Sequence, residues 1–451
     1  MHTYDDRGNV LATVDPSGAT TAYTYDSDDR ELSKTIAYGT PLEATTSRSY
    51  DSRDNILSET DPLGHTVSYS YTASNETLSI TDPAGHATSF SYDQYGFPLT
   101  ITDLNGSVTG LAYTTNTAGH LVTTTTDPLG YVSVTEQNRK GHILRETNAA
   151  GTETTYSYDA NGNQLTRTTL RTNDQGQQVS LTWTTEYDAN DRAIREIDPY
   201  GNETRTEYDA VGQVTAQIDA LGRRSEMTYD AFGRVVRSSY PDGSVEVTTY
   251  DEDGNQLTAT DRAGRMVSFS YDELNRLTAA TAADGSITRT EYDVAGQVEA
   301  SIDARGYRTS YGYDLAGRRT SVTDARFQTS SYSYDARGNQ LSFTDALGHI
   351  TSFEYDDKSR RTRTVFHDGS DMSVAYDALD RKITETDQAG IATHFSYDGL
   401  GRLVQVTDAH GQLTQYAYDE QGNRTAQIDA LGRTTSWSYD HLGRAVKRTL
   451  P

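Results

Sequence analysis

The feature that most constrains this chain is a period. Tyrosine followed by aspartate occurs at Tyr187, Tyr208, Tyr229, Tyr250, Tyr271, Tyr292, Tyr313, Tyr334, Tyr355, Tyr376, Tyr397, Tyr418 and Tyr439, always 21 residues apart. Upstream the same anchor stands at Tyr4, Tyr25, Tyr50, Tyr71, Tyr92, Tyr113 and Tyr158, with Gln137 in its place once, which makes 21 units. Thr72, Thr114 and Asn138 take the aspartate position in three of them. A unit this short cannot bury an apolar face alone, so successive copies must pack on one another. The sequence therefore reads as one continuous array over 1–451, less regularly phased over 1–186 and strictly phased over 187–451. The spacing stretches only at Ile36 to Ala44, around Asn116 and at Arg171 to Trp183, the expected longer loops. The polar run Arg171 to Ser180 is expected to extend a hairpin beyond the sheet's rim and to be the first place a protease cuts.

Each unit contains two turn signals. One is Asp-x-x-Gly directly after the tyrosine, as in Asp230-Ala231-Phe232-Gly233; the other is a corner ten residues later, as in Asp61-Pro62-Leu63-Gly64. Asp first, Pro second and Gly fourth suit a type I turn, with the carboxylate accepting backbone N–H bonds and the glycine at positive φ. Where the first turn lacks glycine, its substitutes are Asp29, Asp54, Asn75, Asp191, Asn275, Ser359 and Asp380. Six of these seven are Asp or Asn, which tolerate the left-handed region best, so the first turn is expected to close a hairpin through an αL residue.

Between the turns lie segments of about six residues rich in Thr, Val, Tyr and Phe, which suit strands. Alternation places Val67, Tyr69 and Tyr71 on one face, and Thr66, Ser68 and Ser70 on the other. The same rule aligns Phe90 with Tyr92, Tyr311 with Tyr313, Tyr332 with Tyr334 and Trp437 with Tyr439, so an aromatic file packed ring to ring is expected along the sheet. The return strand reads two ways: Val214, Ala216 and Ile218 share one face, while Leu341 and Phe343 sit one register out. The fold class is all-β, a long antiparallel meander of hairpins. Its roughly forty strands, about 4.8 Å apart, would form a ribbon on the order of 200 Å long that cannot stay flat.

Composition decides between order and disorder, and excludes partners. With 34% apolar residues and a formal charge of −26 the chain would be suspect as disordered, but 32 tyrosines argue for a packed sheet. Such acidity excludes a nucleic-acid partner, which needs a basic footprint. The absence of cysteine removes disulfides and thiolate metal sites. No apolar run approaches the roughly 20 residues of a membrane-spanning helix. Met1-His2-Thr3-Tyr4-Asp5 enters the repeat at once, with no signal peptide, so the chain is expected to be a piece of a longer polypeptide, or one exported by a route that needs no such signal.

Tyr229-Asp230-Ala231-Phe232-Gly233-Arg234 and Tyr397-Asp398-Gly399-Leu400-Gly401-Arg402, followed by corners such as Asp429-Ala430-Leu431-Gly432, resemble the repeat of the Rhs or YD-repeat proteins, and the match covers nearly all 451 residues. The resemblance implies a sheet that winds into a spiral, hollow shell. In bacterial Rhs and toxin-complex proteins such a shell encloses a C-terminal toxin domain; in teneurins a related shell belongs to an adhesion receptor. The Asp-Pro-x-Gly-Leu signature of the self-cleaving core end does not occur, since the corners continue as Gly64-His65 and Gly130-Tyr131, and no cargo domain is expected within 1–451.

Candidate chemistry is sparse. The aspartate ladder could supply paired carboxylates for glycoside hydrolysis, or collect Ca²⁺, but each Asp already has a structural task as the first residue of a turn. His65, His86, His120, His142 and His349 each follow a turn glycine, a recurrence that the repeat itself explains, and no zinc spacing accompanies them. The tyrosine file could stack on sugars, although cross-strand packing explains it as well. The expectation is therefore no enzyme: no catalytic, cofactor-binding or metal residue, and no cofactor. The expected role is an encapsulating shell segment of a polymorphic toxin, its partner an enclosed toxin domain absent from this chain. The alternative is an adhesion or carbohydrate-binding surface protein.

Overall fold

The computed structural model describes residues 1–172, 177–440 and 442–451. Among these there are 42 β-strands and no helix, and the strands belong to one antiparallel sheet. Each strand pairs with its neighbour in sequence, as in Glu203–Tyr208 with Val214–Ile218 and then with Arg224–Tyr229.

Both turns use the same device. In the first turn, Asp230 Oδ1 accepts the N–H groups of Phe232 and Arg234 at 2.9 and 3.0 Å, and Gly233 N donates to Asp230 O at 3.1 Å. In the corner, Asp219 Oδ1 accepts those of Leu221 and Arg223, both at 2.9 Å, and Gly222 N donates to Asp219 O at 2.8 Å. The fourth residue is left-handed in each, with φ of 82° at Gly233 and 76° at Gly222. All seven non-glycine substitutes in the first turn, from Asp29 to Asp380, also have positive φ, between 60° and 74°.

The two turns differ in the strand register beyond them. After the first turn the register slips by one: Tyr250 faces Gln256, but Thr249 faces Thr258, so Leu257 is an extra residue in a β-bulge. This bulge corrects the sequence-based reading of the return strand. Val214 lies opposite Tyr208 and shares its face, whereas Ala216 and Ile218 lie opposite Glu207 and Arg205 on the other face. Phe343 lies opposite Tyr332 on the tyrosine face, with ring centroids 5.5 Å apart. Alternation alone cannot see a one-residue insertion that flips every side chain beyond it.

The second face is lined by small hydroxyl residues that bond across strands. Ser49 with Ser58, Ser70 with Ser79, Ser91 with Thr100, Thr249 with Thr258 and Ser333 with Ser342 are joined at 2.5 to 2.6 Å. In places ion pairs replace them; Ala216 is buried between Glu207 and Glu226, whose carboxylates both accept bonds from Arg224. Among the described residues the buried apolar side chains are only Ala37, Ala44, Leu181, Ala216 and Ala300, so no second layer of side chains covers either face as in a sandwich.

The chain forms two compact units. The first comprises Met1–Phe90, Asp103–Asn105 and Thr228–Gly369; the second comprises Ser91–Thr102, Gly106–Met227 and Ser370–Pro451. Within each unit an early stretch of hairpins meets a late one.

Candidate functional site

The side chains that recur with the repeat form a ladder between hairpins. Most anchor tyrosines donate the hydroxyl to the carbonyl of the first return-strand residue of the preceding hairpin, beside the bulge: Tyr71 to Ile56, Tyr208 to Ala193, Tyr313 to Val298, Tyr355 to Gln340 and Tyr418 to Leu403, at 2.8 to 2.9 Å. A bulge disrupts the local ladder of backbone bonds, and a tyrosine, unlike phenylalanine, brings a donor to that point. The arginine that closes the first turn adds three further links. Arg402 Nε donates to its own Asp398 Oδ2 at 2.7 Å, Nη1 reaches Asp419 O of the next unit at 2.7 Å, and its guanidinium lies 5.0 Å from the Tyr418 ring centroid. Arg192, Arg234, Arg276, Arg318 and Arg381 cover Tyr208, Tyr250, Tyr292, Tyr334 and Tyr397 in the same way, at 4.5 to 4.9 Å. The expected ring-to-ring file is thus an alternation of rings and guanidiniums, because anchors in successive units stand two strands, about 10 Å, apart.

The turn carboxylates are occupied. Asn55 donates to Asp51 Oδ2 at 3.0 Å, and this bond, with the backbone N–H groups of Arg53 and Asn55, holds Asp51 at a pKa of about 2. For Asp398, partial burial works against ionisation, yet the hydrogen bonds from Arg402 keep its pKa below the usual carboxylate value. Carboxylates aimed at their own turn are poorly placed to act as an acid and base pair. Among the described residues no group of three or more His, Cys, Asp or Glu could hold a metal ion, and no helix is long and apolar enough to cross a membrane. Four of the five histidines serve locally: His65 and His349 bond Asp61 and Asp345 at 2.9 Å, His120 bonds Glu136 at 2.7 Å, and His142 stacks on Tyr158 with centroids 4.7 Å apart.

His86 belongs to a different feature, one that sequence periodicity could not reveal: seams where corners meet first turns about twelve repeats later. In the first unit His86 Nε2 lies 3.0 Å from Asp357 Oδ1, Asp82 Oδ2 lies 3.4 Å from Arg337 Nη1, and Asp103 Oδ2 lies 2.6 Å from Lys358 Nζ. In the second unit the Tyr131 ring packs on Gly399 so closely that a Cβ there would stand 2.7 Å from it. The lengthened hairpin also joins this seam. Its strands Gln164–Thr172 and Gln178–Tyr187 are the longest in the chain, and buried Arg171 bonds Asp419 Oδ2 and Asp440 O, both at 3.1 Å. Thr172 bonds Glu420 through both its N–H and its hydroxyl at 2.7 Å. Of the rest of the expected protease site, Gln178, Val179 and Ser180 are paired with Thr172, Arg171 and Leu170 within the sheet, and residues 173–176 lie outside the described residues.

A meander of hairpins locked rim to rim and rung to rung, with its conspicuous side chains committed to holding the sheet, defines a structural repeat protein. Comparison with known families is consistent with this. The RHS repeat model matches residues 208–245, 250–287, 292–326, 331–370, 376–413, 397–434 and 418–451, together just over half of the chain, and the Teneurin YD-shell model matches 1–169. The chain belongs to the RHS repeat family. No curated protein matches it significantly. Among solved structures it is similar over its whole length to the TcdB2–TccC3 structure (13% identity, TM-score 0.59) and to the Tc holotoxin pore of Photorhabdus luminescens (13%, 0.60). TcdB2–TccC3 without its hypervariable C-terminal region matches likewise (13%, 0.56). The chain spans only 30 to 31% of the length of those chains, and at this identity the likeness concerns the fold.

Proposed function

We propose that the whole of 1–451 acts as one continuous wall segment of an RHS-type shell, secreted or delivered to a cell surface, that encloses a toxin component. The observation that carries this reading is surface area. The protein keeps 25961 Å² accessible to solvent, where a compact monomer of its mass would keep roughly 17,000 Å². A chain that invests in 42 strands and forgoes a core has a use for the area of its sheet. The seams support the same role, because rim-to-rim salt bridges and the Tyr131–Gly399 contact would close gaps between successive passes of a curved wall. Similarity to components of the Tc holotoxin supports a toxin as the enclosed partner. The wall itself needs no catalytic residue, cofactor or metal.

The test is to purify the protein from its native source and digest it under native conditions. The proposal expects a co-purifying small polypeptide that resists protease while the sheet is folded and is degraded once it is unfolded. A protein that carries no such polypeptide, or one digested at the rate of the free form, would contradict enclosure.

A further inference from the structure

We infer that His86 is a proton-operated latch on the seam of the first unit: as imidazolium it grips carboxylates on both sides of the seam, Asp82 and Asp357, and as the neutral ring it holds only one of them. The starting observation is a bond that the repeat makes elsewhere and not here. In the corners Asp61-Pro62-Leu63-Gly64-His65 and Asp345-Ala346-Leu347-Gly348-His349 the histidine Nδ1 lies 2.9 Å from Oδ2 of the corner's own aspartate. The corner Asp82-Pro83-Ala84-Gly85-His86 has the same pattern. Its backbone bonds are also the same, with Asp82 Oδ1 accepting the N–H groups of Ala84 and His86 at 2.9 Å. Yet His86 Nδ1 stands 3.7 Å from Asp82 Oδ2, and Nε2 reaches across the seam instead, to 3.0 Å from Asp357 Oδ1. Nδ1 is left shielded from water without a hydrogen-bond partner among the described residues.

The chemistry of this gap calls for a proton. A neutral imidazole that donates through Nε2 to Asp357 turns the lone pair of Nδ1 toward the Asp82 carboxylate, which leaves a bond unmade and adds a repulsion. A protonated ring presents an N–H at both nitrogens. The surrounding charges point the same way. Asp82 and Asp357 face the ring, and Arg337 is shared between them, its Nη1 lying 3.4 Å from Asp82 Oδ2 and donating to Asp357 O at 2.6 Å. The other charges on the elements packed here are committed: Lys358 to Asp103 and Arg360 to Asp356, both at 2.6 Å, His65 to Asp61, and Asp335 to the N–H groups of Arg337 and Asn339. The surroundings of the ring are thus short of positive charge, which the imidazolium supplies. Histidine is the ordinary side chain that changes charge between about pH 5 and 8, so the closed seam is favoured toward the acid end and loosens as pH rises. The second unit's seam is held by Arg171–Asp419 and Thr172–Glu420, contacts without histidine, and should not respond. The latch goes beyond enclosure and does not depend on whether the sheet surrounds a cargo.

Native-state hydrogen exchange of the full chain at about pH 5.5 and about pH 8, corrected for the intrinsic pH dependence of exchange, tests this at residues 82–86 and 356–360. Protection there should fall about fivefold or more toward the higher pH, while residues 419–423, against Arg171, should change by less than about twofold. His86→Gln can still donate to Asp357 but cannot titrate, and should bring the change at the first seam under about twofold as well. So should Asp82→Asn, which gives the neutral ring a donor; the turn survives, since Asn148 fills the same position by accepting the N–H groups of Ala150 and Thr152 at 3.0 Å. His65→Gln is the control, its ring bonded to its own corner's Asp61, and should leave the response intact. Wild-type protection that is equal at both pH values would overturn the inference. So would a fall that persists in His86→Gln or extends equally to the second seam.

Discussion

Removing the Tyr313 hydroxyl tests whether the anchor is a tyrosine for its ring or for its bond. In Tyr313→Phe the ring stays, and the 2.9 Å bond to Val298 O beside the bulge at Glu299 is lost. Burial raises the Tyr313 pKa, which indicates that the hydroxyl sits in a partly water-excluded place. A hydrogen bond of this kind contributes about 1 kcal/mol net, and a half-covered carbonyl left without its donor keeps the loss near that value. Tyr311→Phe is the internal control: it lies on the same strand and face, but its hydroxyl meets Ser301 Oγ at 2.8 Å, a group that can rotate toward water, so the loss should stay under about 0.5 kcal/mol. Repeat arrays need not unfold in one step, so the assay is native-state hydrogen exchange read at Val298–Ile302. Tyr313→Phe should speed exchange there about fivefold, and Tyr311→Phe by less than about twofold. Equal effects, or a neutral Tyr313→Phe, would refute the ladder as the reason for the repeat's tyrosine.

Gly233→Val and Gly317→Val should each cost about 1 kcal/mol or more in urea unfolding, because a β-branched residue fits positive φ poorly, whereas Gly233→Asn should be mild; equal Val and Asn midpoints would remove that argument. Tyr334→Ala should cost about 2 kcal/mol rather than the ~3 expected of a buried ring, since the ring is half-exposed and what is lost is its packing, the bond to Arg319 O and the Arg318 contact. Gly399→Ala should loosen the second unit's seam, read as faster exchange around 127–131 and 398–402 with the rest of the sheet unchanged; unchanged exchange would show that the Tyr131 ring yields freely. Stability should also fall at both pH extremes. Asp51, with its folded pKa lowered to about 2, contributes stability that is present above the unfolded value near 3.8 and lost as pH falls through 2. Tyr156 is raised to about 12 by burial and by its bond to Glu146, so its contribution is full below pH 10 and lost as pH rises through 12. Asp51→Asn should flatten the acid limb and Tyr156→Phe the alkaline one in a melting-temperature profile; unchanged limbs would assign the transitions to other groups.

Much of the architecture is legible in the residues because the repeat tests itself. The Asp and Asn substitutes for turn glycine report positive φ, and the Tyr-Asp spacing counts the hairpins. The return strand was not legible, since the bulge at Leu257 and its equivalents changes the parity of side chains without any distinctive residue at the inserted position. Arg234 and Arg402 recur with the repeat, but their reach to the next unit's Asp carbonyl and tyrosine ring depends on the spacing between neighbouring hairpins, which no local residue pattern encodes. The seams were the least accessible. Asp82 and Arg337, or Tyr131 and Gly399, stand about twelve repeats apart, and nothing local to Gly399 marks it as the place where a ring must fit.

The proposal at the centre of this account is that the sheet walls a space rather than folding up into a solid, and small-angle scattering of the monomeric chain tests it most directly. A compact 451-residue globule would have a radius of gyration of about 22 Å. The account predicts a clearly larger radius and a pair-distance distribution displaced toward long distances, as for matter lying at the periphery. A value near 22 Å with the symmetric distribution of a solid particle would contradict it.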